Sequence, residues 1–137
     1  MASKDAQFCT PGVHIGLFCS TPMVALSRNL ANKHAMEMLL TGDMVSASRA
    51  AEIGLANKVV PSAELRATSM ALASKIAAKS SLTVATGKRA FYQQKEMDLA
   101  AAYNFASEIM VDNMLARDAE EGIAAFVEKR APDWRDE

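Results

Sequence analysis

The 137-residue chain is long enough for one ordinary domain. Half of it is hydrophobic and 23% is charged, which excludes disorder by composition. Fifteen Lys and Arg against sixteen Asp and Glu provide no basic stripe for nucleic-acid phosphates, so a nucleic-acid partner is not expected. Only 6% is aromatic, and nine methionines fill space instead, a mixture suited to closely packed helices with adaptable contacts. No apolar run approaches the roughly 20 residues of a membrane span, and no membrane partner is expected. The opening MASKDAQF has charges with no apolar stretch behind them, so it is not a secretory signal. Two cysteines without an export signal read as free thiols, and a cytoplasmic location is the expectation.

The first elements are short. Residues 7–9 read as a strand, Pro11-Gly12 as a turn and residues 13–17 as a second strand. Ser20 or Thr21 before Pro22 reads as a helix N-cap, leading into a helix over 24–30. A second helix over 35–40 is closed by Gly42. Ser46 caps a short alanine-rich helix that stops at Gly54, and LANKVVP gives a brief strand ended by Pro61. Three longer helices follow, over 63–79, 82–95 and 99–115. Their helical spacing predicts buried stripes of Leu65, Leu72 and Ile76, then Val84, Phe91 and Tyr92, then Ala102, Phe105, Ala106, Ile109 and Met110. A capping box, Asp118-x-x-Glu121, opens the last helix, which runs toward Pro132. The strands at the start have no sheet of their own to join, which is a liability for exposed edges.

Cys9, His14 and Cys19 crowd one stretch, but their even spacing lacks the C-x-x-C step of structural zinc, and no metal site is expected. A nucleophilic cysteine would need a base, and the other histidine is His34. The acidic residues fall where solvated helix faces or caps put them. Lys129 and Arg130 fall in the last turn of a helix, where a cation either caps the dipole or meets a phosphate.

The ordered run LTGD…SA..A…GL…VVP, with the ending EG…AF.EKR.P.W, resembles the crotonase family, the enoyl-CoA hydratase/isomerase superfamily. The likeness extends from Ala6 to Trp134 and corresponds to the C-terminal part of a family member. TPGV, GLFCSTP and MVDN resemble one subgroup in particular. The resemblance implies an α/β, ClpP/crotonase-like fold, in this part predominantly helical with a few short strands. Residues 1–60 would then hold the end of the spiral core with an acyl-pocket wall, and residues 61–137 a helical oligomerisation region. In hydratases of the family a Pro-Glu pair matches Pro11-Gly12, and its glutamate is a catalytic acid/base. Here Gly12 takes that place. No catalytic residue is intact, and ordinary two-glutamate hydration is not expected.

Other chemistry at a thioester, such as isomerisation, hydrolysis or decarboxylation, stays open. The oxyanion-hole donors and the second glutamate of the family have no counterpart in this chain. The resemblance further implies that Pro11, Gly12, Gly16 and Cys19 line the acyl pocket. Cys19, Ser20 and Thr21 would cap the following helix. Lys129 matches a lysine that in some members reaches the ADP part of coenzyme A, while the family's aromatic partner falls on Met110. No metal or redox cofactor is implied, since coenzyme A arrives as part of the substrate. Met110, Met114, Ile123 and Phe126 are the candidates for a homo-oligomer interface, trimeric or hexameric. The rival reading is a non-catalytic helical module that oligomerises or binds acyl-CoA.

Overall fold

In the computed structural model, which describes residues 1–137, the chain forms two units, Met1–Ala71 and Leu72–Glu137. Local chain chemistry sets the helix ends of the first unit. Helix α1, Ser20–Asn29, begins at Cys19 and carries Pro22 in its first turn, where a missing N–H costs nothing. Helix α2, Asn32–Thr41, stops at Gly42, whose φ of 68° is a left-handed conformation that glycine adopts without strain. The side chain of Ser46 accepts a hydrogen bond from the Arg49 N–H and starts α3, Ala47–Glu52. The expected caps at Ser46 and Gly42 are thus observed. Ser20 or Thr21 does not cap α1: Ser20 is already helical, and its hydroxyl donates to the Phe18 carbonyl instead.

Two short ladders accompany these helices. Strand β1, Ala2–Ser3, pairs in parallel with β4, Val59–Val60, in the register Ala2↔Val59. Strand β2, Gln7–Phe8, pairs antiparallel with β3, Val45–Ser46, in the register Phe8↔Val45. The strand expected over 13–17 is not formed. Pro11 opens a tight 3₁₀ turn, Pro11–Ile15, and Gly16 ends it at φ 75°. The fixed φ of proline and a left-handed glycine five residues on suit a compact turn better than an extended run.

The core of the first unit gathers Leu26 and Leu30 against Ala35, Met38 and Leu39, with Phe8, Val45 and Ile53 packed around them. Leu39 is only 1% exposed, and burying a side chain of that size contributes about 1.5–3 kcal/mol. A second cluster, Ala2, Ala47, Ala50 and Ala56, lets backbone segments approach closely around β1 and α3.

Helix α4, Leu65–Ala77, follows a short 3₁₀ turn at Ser62–Glu64 and contains the division between the units. Beyond it come α5, Ser81–Gln94; α6, Leu99–Met114; and α7, Arg117–Glu128. The predicted helices exist, but their apolar stripes are not buried. Leu72, Ile76, Phe91, Tyr92 and Met110 are all exposed, and α4, α5 and α6 bury no residue. Periodicity reports a face that suits burial; within this chain it is covered only in part, with Leu65, Ala102, Phe105 and Ile109 half-buried. No helix is long and apolar enough to cross a membrane.

Candidate functional site

The stretch from Thr10 to Cys19 folds into a stapled loop. The buried Thr10 hydroxyl donates to the Met38 carbonyl at 2.7 Å. His14 Nε2 lies 3.0 Å from the Thr41 carbonyl; since a carbonyl only accepts, that nitrogen carries the proton. Gly42 fits beneath this contact, because a Cβ there would come within 2.8 Å of His14 Nε2. The loop is therefore fastened at two points to the C-terminal end of α2. It is also closed on itself: the Leu17 N–H donates to the Gly12 carbonyl at 2.9 Å, and the Gly12 N–H donates to Cys19 Sγ at 3.3 Å.

This closure decides what position 12 can carry. A Cβ on Gly12 would lie 2.7 Å from the Leu17 carbonyl oxygen and 2.8 Å from Cys19 Sγ. Gly16, by contrast, has open space around it and is required for its positive φ alone. Pro11, Gly12, Gly16 and Cys19 thus come together in one loop, with Ile15, Leu17 and Phe18 exposed on it as apolar surface. The loop contains no carboxylate. Cys9 and Cys19 are both free thiols and half-buried. Sequence reasoning does not reach the anchors: Thr10 carries no local signal, and His14 reads there as a loop histidine, a metal ligand or an acid/base group, not as a fastening to α2.

Lys129 belongs to the second unit. It stands just past α7 as its C-cap, at φ 56°, a left-handed conformation unusual for a residue with a side chain. The expectation that Lys129 and Arg130 complete a helical turn is corrected here. Arg130 turns back and forms a two-pronged ion pair with Glu121, at 2.5 and 2.9 Å, and also meets Glu128. This guanidinium, helped by the Asp133 N–H, pulls the Glu121 carboxyl down to about 2 and raises the pKa of Arg130 in turn.

The capping box is a second correction. Helix α7 starts after Ala116 without a side-chain cap, and Asp118 and Glu121 hold the C-terminal tail instead. Asp118 is buried and accepts from the Ser80 hydroxyl and the N–H groups of Arg135 and Asp136, which lower its pKa against the penalty of burial. The Trp134 ring lies over Gly122, 3.1 Å from where a Cβ would be, and its indole N–H donates to the Ala78 carbonyl. Beside the tail, Met110, Met114, Ile123, Phe126 and Trp134 line an open apolar groove of about 600 Å³ with Lys79 at its margin. Phe126 is 85% exposed there.

Residues 1–137 match the enoyl-CoA hydratase/isomerase family. Mitochondrial enoyl-CoA hydratase domain-containing protein 3 from Homo sapiens is 51% identical over all 137 residues, and the match covers 45% of that protein. The Mus musculus counterpart is 51% identical over 134 residues, 98% of this chain and 45% of its own length. The crystal structure of the human protein superposes with a TM-score of 0.92 at 52% identity, over 96% of this chain and 52% of that one. An enoyl-CoA hydratase from Mycobacterium smegmatis gives 0.93 at 49% identity, over 96% and 51%.

The crotonase-like α/β fold, here predominantly helical with a few short strands, is thereby shown. The subgroup that TPGV, GLFCSTP and MVDN resemble is the one represented by the human protein. The chain spans about half the length of these relatives. The expected cytoplasmic location is corrected: the human, mouse and rat relatives are mitochondrial proteins.

Proposed function

This chain belongs to the enoyl-CoA hydratase/isomerase family, and from that premise we propose that it supplies the acyl-pocket wall of a protein acting on or binding acyl-CoA thioesters, without hydrating them by itself. One observation carries the second half of this reading: the stapled loop holds no carboxylate at Gly12 and has no room for a side chain there. Hydration needs a base for water, an acid for the α-carbon and donors for the enolate oxygen. Pro11, Gly12 and Gly16 offer close backbone approach, and Leu17 and Phe18 offer apolar contact to an acyl chain. Lys129 would meet a coenzyme A phosphate as a point charge. Its left-handed backbone supports that role, since a position suited to glycine keeps a lysine. No metal or redox cofactor enters the reading, and coenzyme A comes with the substrate.

The test is the ultraviolet absorbance of crotonyl-CoA, followed with this chain, with Gly12→Glu and with buffer. All three traces are expected to coincide. Turnover by the unmodified chain above the blank would overturn the reading and assign the acid/base step to another group.

A second reading, a non-catalytic module that assembles with copies of itself, is favoured by the groove formed by Met110, Met114, Ile123 and Phe126. Under it, light scattering at high micromolar concentration returns a multiple of 14.7 kDa, and a clean monomer refutes it.

A further inference from the structure

The near-neutral charge of the whole chain averages over an uneven order. Between Glu64 and Glu96 stand six cations, Arg66, Lys75, Lys79, Lys88, Arg89 and Lys95, and no carboxylate. From Glu96 onward, eleven carboxylates stand against four cations. None of the six enters an ion pair. The expectation of no basic stripe rests on the total alone, and this order corrects it.

Helix α5 shows how these cations are displayed. Its half-buried residues, Leu82, Thr86, Ala90 and Gln94, follow one another at four-residue steps and form one side. That side is packed on α6, where Leu82 and Thr86 share a small cavity with Ile109 and Asp112. Lys88, Phe91, Tyr92 and Lys95, at i, i+3, i+4 and i+7, lie on the opposite side. Phe91 is 56% exposed and Tyr92 61%. Their rings meet edge to face, with centroids 5.3 Å apart, and Lys95 Nζ stands 5.6 Å from the Phe91 centroid. The ring pair is thus held in place but uncovered, and the two lysines bracket it over about 10 Å of helix axis. A cation at a helix C-terminus suits the dipole. That accounts for Lys95, but not for two exposed rings between lysines.

We propose that the outer face of α5 binds single-stranded nucleic acid, with phosphates on Lys88 and Lys95 and unpaired bases stacked on Phe91 and Tyr92. A polyanion that also carries flat apolar groups matches both components of the face at once. A lipid surface matches it less well. A helix lying on anionic lipid separates its charged face from its apolar one, whereas here lysines and rings alternate on one face and the other is packed on α6. A second copy of this chain also matches less well, because its densest acidic stretch is already engaged. Glu121 and Glu128 pair with Arg130, Glu137 pairs with Arg117, and Asp118 holds the tail backbone. Near the face itself, Asp98 is occupied in capping α6, and Asp112 lies on the side toward that helix. Carboxylates farther off are screened by salt beyond about 8–10 Å. The proposal depends neither on thioester binding nor on self-assembly.

The probe is a fluorescein-labelled oligouridylate of about 20 nucleotides, titrated with the full chain and read by anisotropy. Micromolar binding is expected at about 50 mM salt. The logarithm of the binding constant should fall against that of the salt concentration, with a slope near −0.7 for each phosphate held. Lys88→Ala should make the slope shallower by about 0.7. Phe91→Ala and Tyr92→Ala should each weaken binding about fivefold or more at an unchanged slope, because stacking releases no counterions. Phe91→Leu keeps the bulk but removes the flat ring, and should weaken binding to a similar extent. Both rings are exposed, so the helical circular dichroism of these variants should match that of the parent. No anisotropy change up to about 100 μM chain overturns the proposal, as does equal affinity of the ring variants. Co-sedimentation with phosphatidylserine vesicles in place of oligonucleotide binding assigns the face to a lipid surface, and salt-sensitive self-association in its place assigns it to a second copy; either result overturns the proposal.

Discussion

Replacing Gly12 by alanine adds one methyl group at the tightest point of the loop. Its Cβ would start 2.7 Å from the Leu17 carbonyl oxygen and 2.8 Å from Cys19 Sγ, where ordinary contact begins at 3.4 Å. The thiol can rotate away, but the carbonyl is backbone and has to move with its residue. That residue's N–H closes the loop onto the Gly12 carbonyl, and the thiol in turn accepts from the Gly12 N–H, so relief on either side opens a hydrogen bond. Overpacking costs about 1–3 kcal/mol in a tight interior, and a hydrogen bond contributes about 0.5–1.5 kcal/mol net. Because Leu17 is exposed and part of the strain escapes to solvent, a loss of about 1–2 kcal/mol is expected for the loop. Hydrogen exchange at the Leu17 amide reads this directly and should accelerate about 5- to 30-fold. Adding Cys19→Ala to Gly12→Ala removes one contact and leaves the other, so the pair should recover only part of the loss and depart from additivity by about 0.5 kcal/mol or more. Unchanged exchange at Leu17 in Gly12→Ala would show that the loop is slack and that packing does not exclude a side chain at position 12.

The acid response of the tail should appear in the fluorescence of Trp134, the chain's single tryptophan. Glu121 is depressed from an ordinary 4.5 to about 2, and Asp118 is depressed as well, so tail docking is complete above pH 4.5 and is lost as pH falls toward 2. Emission should hold constant from pH 8 to 5 and then shift red, with Arg130→Ala moving the transition up toward 4.5; a transition near pH 6–7 would contradict the assignment to these two carboxylates. Lys129→Gly should stabilise the chain in urea by about 0.5–1 kcal/mol, because glycine adopts the left-handed C-cap without strain. A loss of stability would show instead that the lysine side chain supports the fold.

What the sequence reveals divides along contact range. The Ser46 cap and the Gly42 and Gly54 stops are legible because each is settled within about four residues of chain. The apolar spacing of α4 to α6 is equally legible as helix, but it carries no information about what covers those faces, and none of their residues is fully buried within the chain. Asp118 and Glu121 satisfy the local capping pattern, yet hydrogen bonds to residues 12 to 18 positions away outcompete it. His14 is fastened to a carbonyl 27 residues on, a distance over which no local pattern operates. Gly12 combines both cases. Its identity, and through the family resemblance the missing carboxylate, can be read from the sequence, but the reason no side chain fits there is tertiary and lies in Leu17 and Cys19. Position 12 is therefore not a vacancy awaiting a glutamate. The surrounding loop is built around the absence of a side chain, and a change of chemistry at this site has to alter Cys19 and the path of Leu17 together with Gly12.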